Sequence, residues 1–190
     1  SALLLQARGI VRRSSVGGLS ISMTDTVREQ RFLALLNANL PALGRLTGSY
    51  AGNTGERDDL LQEIALALWQ ALPRFRGECS ERTFLFRIAH NRCINHIARR
   101  RSMDSLQALE LDPADESRPV DQALSQQQDS VRLADAVRRL PVIQRQVIVL
   151  ALEDMEYHEI AEVLGISESN VGVRLNRARA SLRKLMGEGP

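Results

Sequence analysis

The chain has 190 residues, 44% of them hydrophobic and 25% charged, with a formal net charge of +2. That is enough for one medium globular domain or two small ones. Two cysteines exclude a disulfide framework, and the lack of any apolar run near the roughly 20 residues that span a bilayer excludes membrane insertion.

Ser1 to Ser22 is rich in Ser, Gly and Arg, has no acid, and offers only Leu3-Leu4-Leu5 as an apolar stretch. That is too short for a signal-peptide core. Residues 1–24 are therefore expected to be a disordered leader, or to lie upstream of a natural start at Met23, and the chain is expected to be cytoplasmic. From Thr26 the helical period begins, with Phe32, Leu35, Leu36 and Leu40 at helical spacing. Pro41 should interrupt or restart that helix. Gly52-Asn53-Thr54-Gly55 reads as a loop. Asp58 or Asp59 should open the next helix, where acids oppose its dipole. Leu61, Ile64, Ala65, Leu68 and Leu72 form its apolar stripe, and Pro73 ends it near Leu72. Arg74 to Ser80 is a short loop around Gly77. A long helix follows from about Ser80 to Arg101. Leu85, Ala89, Cys93 and Ile97 repeat every four residues on one side of it.

Residues 102–129 contain Pro113, Pro119 and several acids, and mark the domain boundary. Their second half is compatible with a backward extension of the next helix. Val131 to Leu140 is one helix. Pro141 suits the first position of the next, which runs to about Leu152. Glu153-Asp154-Met155 is a turn. Tyr157 to Leu164 is a short helix with Gly165 in a C-cap position. Ser167 then caps a last helix to about Met186.

The charge is unevenly spread. Arg74 to Arg101 holds eight Arg against two Glu, Met103 to Asp129 seven acids against Arg118, and Asn170 to Met186 five bases and no acid. Basic, acidic, basic is the pattern of two polyanion-facing modules on a solvated acidic linker. The plain alternative is ordinary charged helix faces. The expected architecture is all-α: two small helical domains joined by a flexible acidic linker, the C-terminal one a helix-turn-helix.

Tyr157 to Arg179, YHEIAEVLGISESNVGVRLNRAR, carries the strongest local signal. A short helix, a Gly-containing turn and a Ser-capped second helix make the arrangement whose second helix enters the DNA major groove. At about 100° per residue, Val171, Leu175, Ala178, Leu182 and Leu185 fall within roughly 40° of one line, which must be the buried face. Ser169, Val173, Asn176 and Ala180 lie opposite, flanked by Gly172, Arg177, Arg183 and Lys184. That outward face is small, polar and cationic. Asn can pair with adenine, Arg with guanine, and Val can touch a thymine methyl, while Arg183 and Lys184 suit phosphates. A surface helix of a plain bundle is the bland reading, for which an outward Gly172 and Val173 are poor choices.

At these residues a family resemblance emerges. L-P-x-x-Q-R-x-V at Leu140 to Val147, EIAEVLGIS, and V-x-x-R-L-x-R-A-R at Val171 to Arg179 resemble the promoter −35-binding domain of extracytoplasmic-function (ECF) sigma factors. Asp58 to Glu63, Trp69, Phe75-Arg76-Gly77, Thr83-Phe84-Leu85, Ile88-Ala89-x-Asn91 and Arg99-Arg100-Arg101 resemble their polymerase- and −10-binding domain. The resemblance implies a sigma factor that recruits core RNA polymerase to promoters and does no chemistry. It implies region 2 over residues 25–101, a linker over 102–129, and region 4 over 130–187. Asp58, Asp59, Gln62 and Glu63 would dock on the β′ clamp of core polymerase, with the β flap as a further contact. Arg74, Phe75, Arg76, Gly77, Glu78, Cys79 and Ser80 would catch a base flipped from the melted −10 strand, and Asn91, Asn95, Arg99 and Arg100 would follow that strand. The −35 element would fall to Ser167, Ser169, Asn170, Gly172, Val173, Arg174, Asn176, Arg177, Arg183 and Lys184. His90 would join the basic face. Relatives often have Asp at Asn95 and Trp at Phe84, and for Phe84 plain core packing is the simpler role. An anti-sigma partner is implied too.

Rival readings are weaker. Cys79, His90, Cys93 and His96 lack the two tight pairs of a structural zinc site, so no metal or other cofactor is expected, and Cys93 reads as a core residue. No phosphate-gripping Gly loop or nucleophile elbow points to an enzyme. A helix-turn-helix regulator that acts without polymerase is the nearest alternative. It would need a ligand or receiver domain, and the helical N-terminal half has no alternating strands to build a receiver.

Overall fold

A computed structural model of the chain describes residues 23–107 and 125–187, and every regular element among them is helical. Residues 1–22 of the expected leader and the middle of the expected acidic linker, residues 108–124, lie outside the described residues, whereas Met23 and Thr24, the last two residues of that expected leader, belong to the first helix.

The N-terminal half is built from α1 (Met23–Gly48), α2 (Thr54–Ala71), a 3₁₀ turn (Leu72–Arg74) and α3 (Glu81–Gln107). Contrary to expectation, α1 runs straight through Pro41. Pro41 removes the bond to the Asn37 carbonyl, but Asn37 is exposed and water can serve it. Buried Leu36, Leu43 and Leu46 hold both sides of the proline to one core. Helix α2 opens earlier than Asp58. The Asn53 side chain caps it by accepting from the Glu56 N–H at 2.9 Å. The stripe Leu61, Ile64, Ala65, Leu68 and Leu72 is buried as expected. Phe32 meets Trp69 edge-on, with ring centroids 5.3 Å apart. Arg28 lies over the Trp69 ring, 3.9 Å from its centroid, and donates to the Trp69 carbonyl at 2.7 Å. Leu85, Ala89 and Cys93 of α3 close this core, while Ile97 sits at its edge. Helix α3 does not stop at Arg101 but continues to Gln107. Nothing in Ser102 to Gln107 breaks a helix, so the first part of the expected linker is helical.

The C-terminal half comprises α4 (Ser125–Arg139), α5 (Val142–Ala151), α6 (Tyr157–Leu164) and α7 (Glu168–Met186). Helix α4 begins six residues before Val131, which makes the end of the linker helical as well. Pro141 stands at the N-cap of α5, one place before the expected first position. Val137, Leu140, Val147, Leu150, Ile160, Val171, Leu175 and Ala178 form its core. Each buried Val, Leu or Ile side chain among these contributes about 1.5–3 kcal/mol, which is how helices this short persist.

The two halves touch. Helix α6 packs along the N-terminal part of α3, and the end of α1 meets α5.

Candidate nucleic-acid interface

The helix-turn-helix is set by local chemistry. Gly165 takes φ +65° at the end of α6, and the Ile166 N–H bonds back to the Ala161 carbonyl at 3.1 Å. Two residues after Gly165 the Ser167 hydroxyl accepts from the Asn170 N–H at 3.3 Å and shares a 3.0 Å bond with the Ser169 hydroxyl. Helix α7 leaves that cap with Val171, Leu175, Ala178 and Leu182 buried. Leu185, expected on the same face, is exposed, because the last turn overhangs the core.

Ser169, Asn170, Val173, Asn176, Arg177, Arg183 and Lys184 are exposed, Val173 to 50% despite being apolar. Gly172 and Arg174 are half-buried and Ser167 is exposed. Among the described residues, Arg174, Arg177, Arg183 and Lys184 form no ion pair. Their charge is uncompensated at a helix face that carries no acid beyond Glu168, which favours a polyanion.

The second cluster is the loop before α3. Its turn is made at Gly77, φ +78°. Arg76, Gly77, Glu78 and Ser80 are exposed, as is Arg74 at the end of the 3₁₀ turn. Phe75 is not free: its ring stacks on Phe84 with centroids 4.6 Å apart and lies under Arg31 at 5.6 Å. Phe84, expected as core, is half-buried and serves as the floor of the loop. Arg87 Nη2 donates to Cys79 Sγ at 3.1 Å, and the Ser80 hydroxyl caps α3 by accepting from the Thr83 N–H at 2.9 Å.

Asn91, Asn95 and Arg99 follow at intervals of four residues along α3, all exposed on one stripe, with Arg100 beside them. His90 does not join this face. It is buried, its Nδ1 has no partner, and burial pushes its pKa down to about 4, so the ring is neutral. The spacing of the stripe puts residue 90 on the core side of Asn91.

The stripe is not electrostatically free either. Arg99 Nη2 lies 2.9 Å from Glu63 Oε2, and Arg100 Nη1 lies 3.4 Å from Glu56 Oε2. Glu56 also accepts from the Gly52 N–H at 2.8 Å and contacts His96 Nε2 at 3.2 Å. The backbone donor is the main reason its carboxyl titrates below the usual range, with His96 and Arg100 adding to it. Asp58 and Asp59 are exposed, and Gln62 and Glu63 half-buried. The acidic patch on α2 and the basic stripe on α3 therefore share the Glu63–Arg99 pair, a junction that sequence spacing did not reveal.

Cys79, His90, Cys93 and His96, weighed above as a zinc set and set aside, do not converge among the described residues. Cys93 sits in the core with its thiol pushed up to about 12, His96 is on Glu56, and Cys79 is beside Arg87.

Two family matches fall on these two halves: Sigma-70 region 2 over residues 35–103 and Sigma-70 region 4 over residues 130–182. The ECF RNA polymerase sigma factor SigM of Mycobacterium tuberculosis is 30% identical over 151 residues, 78% of this chain and 71% of that protein. RNA polymerase sigma factor CnrH of Cupriavidus metallidurans is 33% identical over 155 residues, 76% of this chain and 81% of its own. The chain belongs to the ECF RNA polymerase sigma factors. Like other members, this sigma factor serves promoter-specific transcription initiation. Two solved structures share its fold. CnrH in complex with the cytosolic domain of CnrY matches with a TM-score of 0.62 at 24% identity, covering all of both chains. The sigma factor RpoE in complex with the anti-sigma factor NepR from Bartonella quintana matches at 0.68 and 21%, covering 85% of this chain and 99% of that one. No helix among the described residues of the sigma factor is long and apolar enough to cross a membrane.

Sequence reasoning missed Arg45, Arg82, Glu153 and Glu159, which join the two halves. Arg45 and Glu153 are 108 positions apart, and no local pattern pairs them.

Proposed function

We propose that residues 25–101 act as region 2, residues 130–187 as region 4, and residues 102–129 as the tether between them. The chain carries core polymerase to a promoter and performs no reaction itself. Helix α7 enters the −35 major groove, with Asn176, Arg177 and Arg174 on base edges, Val173 and Gly172 allowing close approach, and Ser167, Ser169, Asn170, Arg183 and Lys184 on the backbone. The loop from Arg74 to Ser80 receives a base from the melted −10 strand, on the floor made by Phe75 and Phe84. Asn91, Asn95, Arg99 and Arg100 follow that strand. Asp58, Asp59, Gln62 and Glu63 dock on the β′ clamp, and the C-terminal half meets the β flap. An anti-sigma factor is the expected inhibitor, and the cytoplasm the expected compartment. The observation that carries the reading is the outward face of α7, where Asn176 and the unpaired Arg177 stand clear of protein.

In vitro transcription with core polymerase from a promoter library tests it. Wild type should select one −35/−10 pair and bind DNA only weakly alone. Tight, sequence-specific binding without polymerase would point to a polymerase-independent regulator instead. Arg177→Ala is expected to cost about 1–3 kcal/mol of −35 discrimination while core binding, measured by competition, stays unchanged. Glu63→Lys is expected to weaken core binding, because it reverses a charge on the docking face and sets a cation against Arg99.

A further inference from the structure

The contact between the halves is made by named polar groups. Arg45 grips Glu153 with two bonds, Nε to Oε1 at 2.8 Å and Nη2 to Oε2 at 2.6 Å. Arg82 Nη2 donates to the backbone carbonyl of the same Glu153. The Glu153 side chain is 4% exposed and the Arg45 side chain 64%, so the carboxylate is enclosed and its partner sits on the solvent side. Asp154 next to it holds φ +56°, an unusual value for a residue with a Cβ, in the turn that leads into α6. A second group lies one turn along. The buried Thr83 hydroxyl donates to Glu159 Oε1 at 3.1 Å, while Glu159 Oε2 accepts from the Glu156 N–H at 3.0 Å. One carboxylate thus serves the first turns of both α3 and α6. Arg145 Nη1 reaches the Ser49 carbonyl at 3.2 Å, and Arg138 Nη1 the Gly48 carbonyl at 3.4 Å, at the negative end of the α1 dipole.

We propose that Glu153, gripped by Arg45 and Arg82, is the centre of a charge latch that holds this chain closed, and that the latch must open before both promoter elements can be engaged. The functional half of the proposal rests on the sigma-factor reading above. Elements centred about 25 base pairs apart are separated by roughly 85 Å along the duplex, at about 3.4 Å per step. In the closed chain the −10 loop and the helix-turn-helix are joined by one short run of bonds, Ser80 to Thr83 to Glu159. They cannot lie that far apart. Residues 108–124 supply 17 residues of chain, a contour of at most about 60 Å, which lets the halves separate when the latch is released. Charged bonds suit a latch of this kind. They are directional, the exposed Arg45 side leaves the pair open to partial screening as the Debye length shortens from about 8 Å at physiological salt to about 3 Å at 1 M, and an acidic or basic partner can compete for either side.

The test uses the full chain. Small-angle scattering in 0.15 M and 1 M salt should show a larger radius of gyration at high salt. Glu153→Arg, which faces Arg45 with a cation, should be expanded already at low salt, and the charge swap Arg45→Glu with Glu153→Arg should return it towards the wild-type radius. Far-UV circular dichroism and Trp69 fluorescence confirm that each variant is folded. If Glu153→Arg is folded but as compact as wild type, or if the swap stays expanded, the latch is overturned. The consequence is read by transcription with core polymerase at limiting chain concentration. If the open form is about a tenth of the wild-type population, Glu153→Arg should act at roughly tenfold lower concentration. Expansion without any gain in transcription would overturn the regulatory role and leave a packing contact. A wild-type chain inactive with core polymerase at any promoter would instead sink the sigma-factor reading.

Discussion

Replacing Arg145 by Met is expected to destabilise the C-terminal half by about 3 kcal/mol, the order of two hydrogen bonds from a charged donor. Arg145 Nη2 donates to the Leu140 carbonyl at 3.0 Å and to the Arg138 carbonyl as well. These lie at the end of α4, where the last carbonyls of a helix have no partner inside it. Met keeps much of the stem packing but leaves the carbonyls to find water in a half-buried place. Lys would not replace the fork, because one ammonium cannot serve carbonyls fanned around a planar guanidinium. Burial is the main reason the Arg145 pKa is lowered, although Tyr50 acts to raise it. The group thus gives up hydration to make these bonds. Urea unfolding of the full chain reads the effect twice. Circular dichroism follows both halves, whereas the single Trp69, buried in the N-terminal half, follows that half alone. The dichroism midpoint should fall well below wild type. The Trp69 midpoint should move only by the share that crosses to Ser49. Equal shifts in both signals would mean that the halves unfold as one unit and that Arg145 is not specific to the C-terminal one.

The helix-turn-helix was legible in the sequence because every determinant lies within a few residues of its effect. Gly165 turns the chain, Ser167 caps the next helix, and the 3.6 period from Val171 to Leu182 chooses the buried face. The limits of local reading appear where a distant partner decides. Pro41 was expected to break α1, but Leu36 and Leu43 are both buried by the same core, and packing outweighs one lost bond. Asn53 rather than Asp58 opens α2, since its side chain takes the Glu56 N–H and so starts the helix five residues earlier. The basic face of α3 was readable as a face, but not its pairing. Arg99 and Arg100 are bonded to Glu63 and Glu56 of another helix, 36 and 44 positions away. The latch residues are the extreme case. Arg45 looks like any solvated helix cation, and Glu153 like any turn acid, until the tertiary structure sets them 2.6 Å apart.

His90 shows how a residue misplaced by sequence becomes measurable once the fold is known, through an acid-induced loss of stability. Its folded pKa, about 4, lies below the value of 6.5 that the unfolded chain offers. The sign follows from which state binds more protons. Between those two values the unfolded chain is protonated and the folded one is not, so stability is full above pH 6.5 and falls as pH drops towards 4. The difference between 6.5 and about 4 corresponds to about 3 kcal/mol at its full extent. Glu56 acts in a separate window, because a depressed carboxyl loses its contribution only below the ordinary carboxylate value of 4.5. Between pH 6.5 and 5 the Glu56 contribution is therefore intact, and the protonation of His90 in the unfolded chain lowers stability. His90→Leu removes the titrating ring and forfeits no hydrogen bond seen among the described residues. Trp69-monitored unfolding at pH 7, 6 and 5 should show a declining midpoint for the wild type and a smaller decline for His90→Leu. A wild-type midpoint that does not change over this range would mean that the ring reaches solvent and protonates in the folded state. It would then belong with Asn91 and Asn95 on the face offered to the −10 strand.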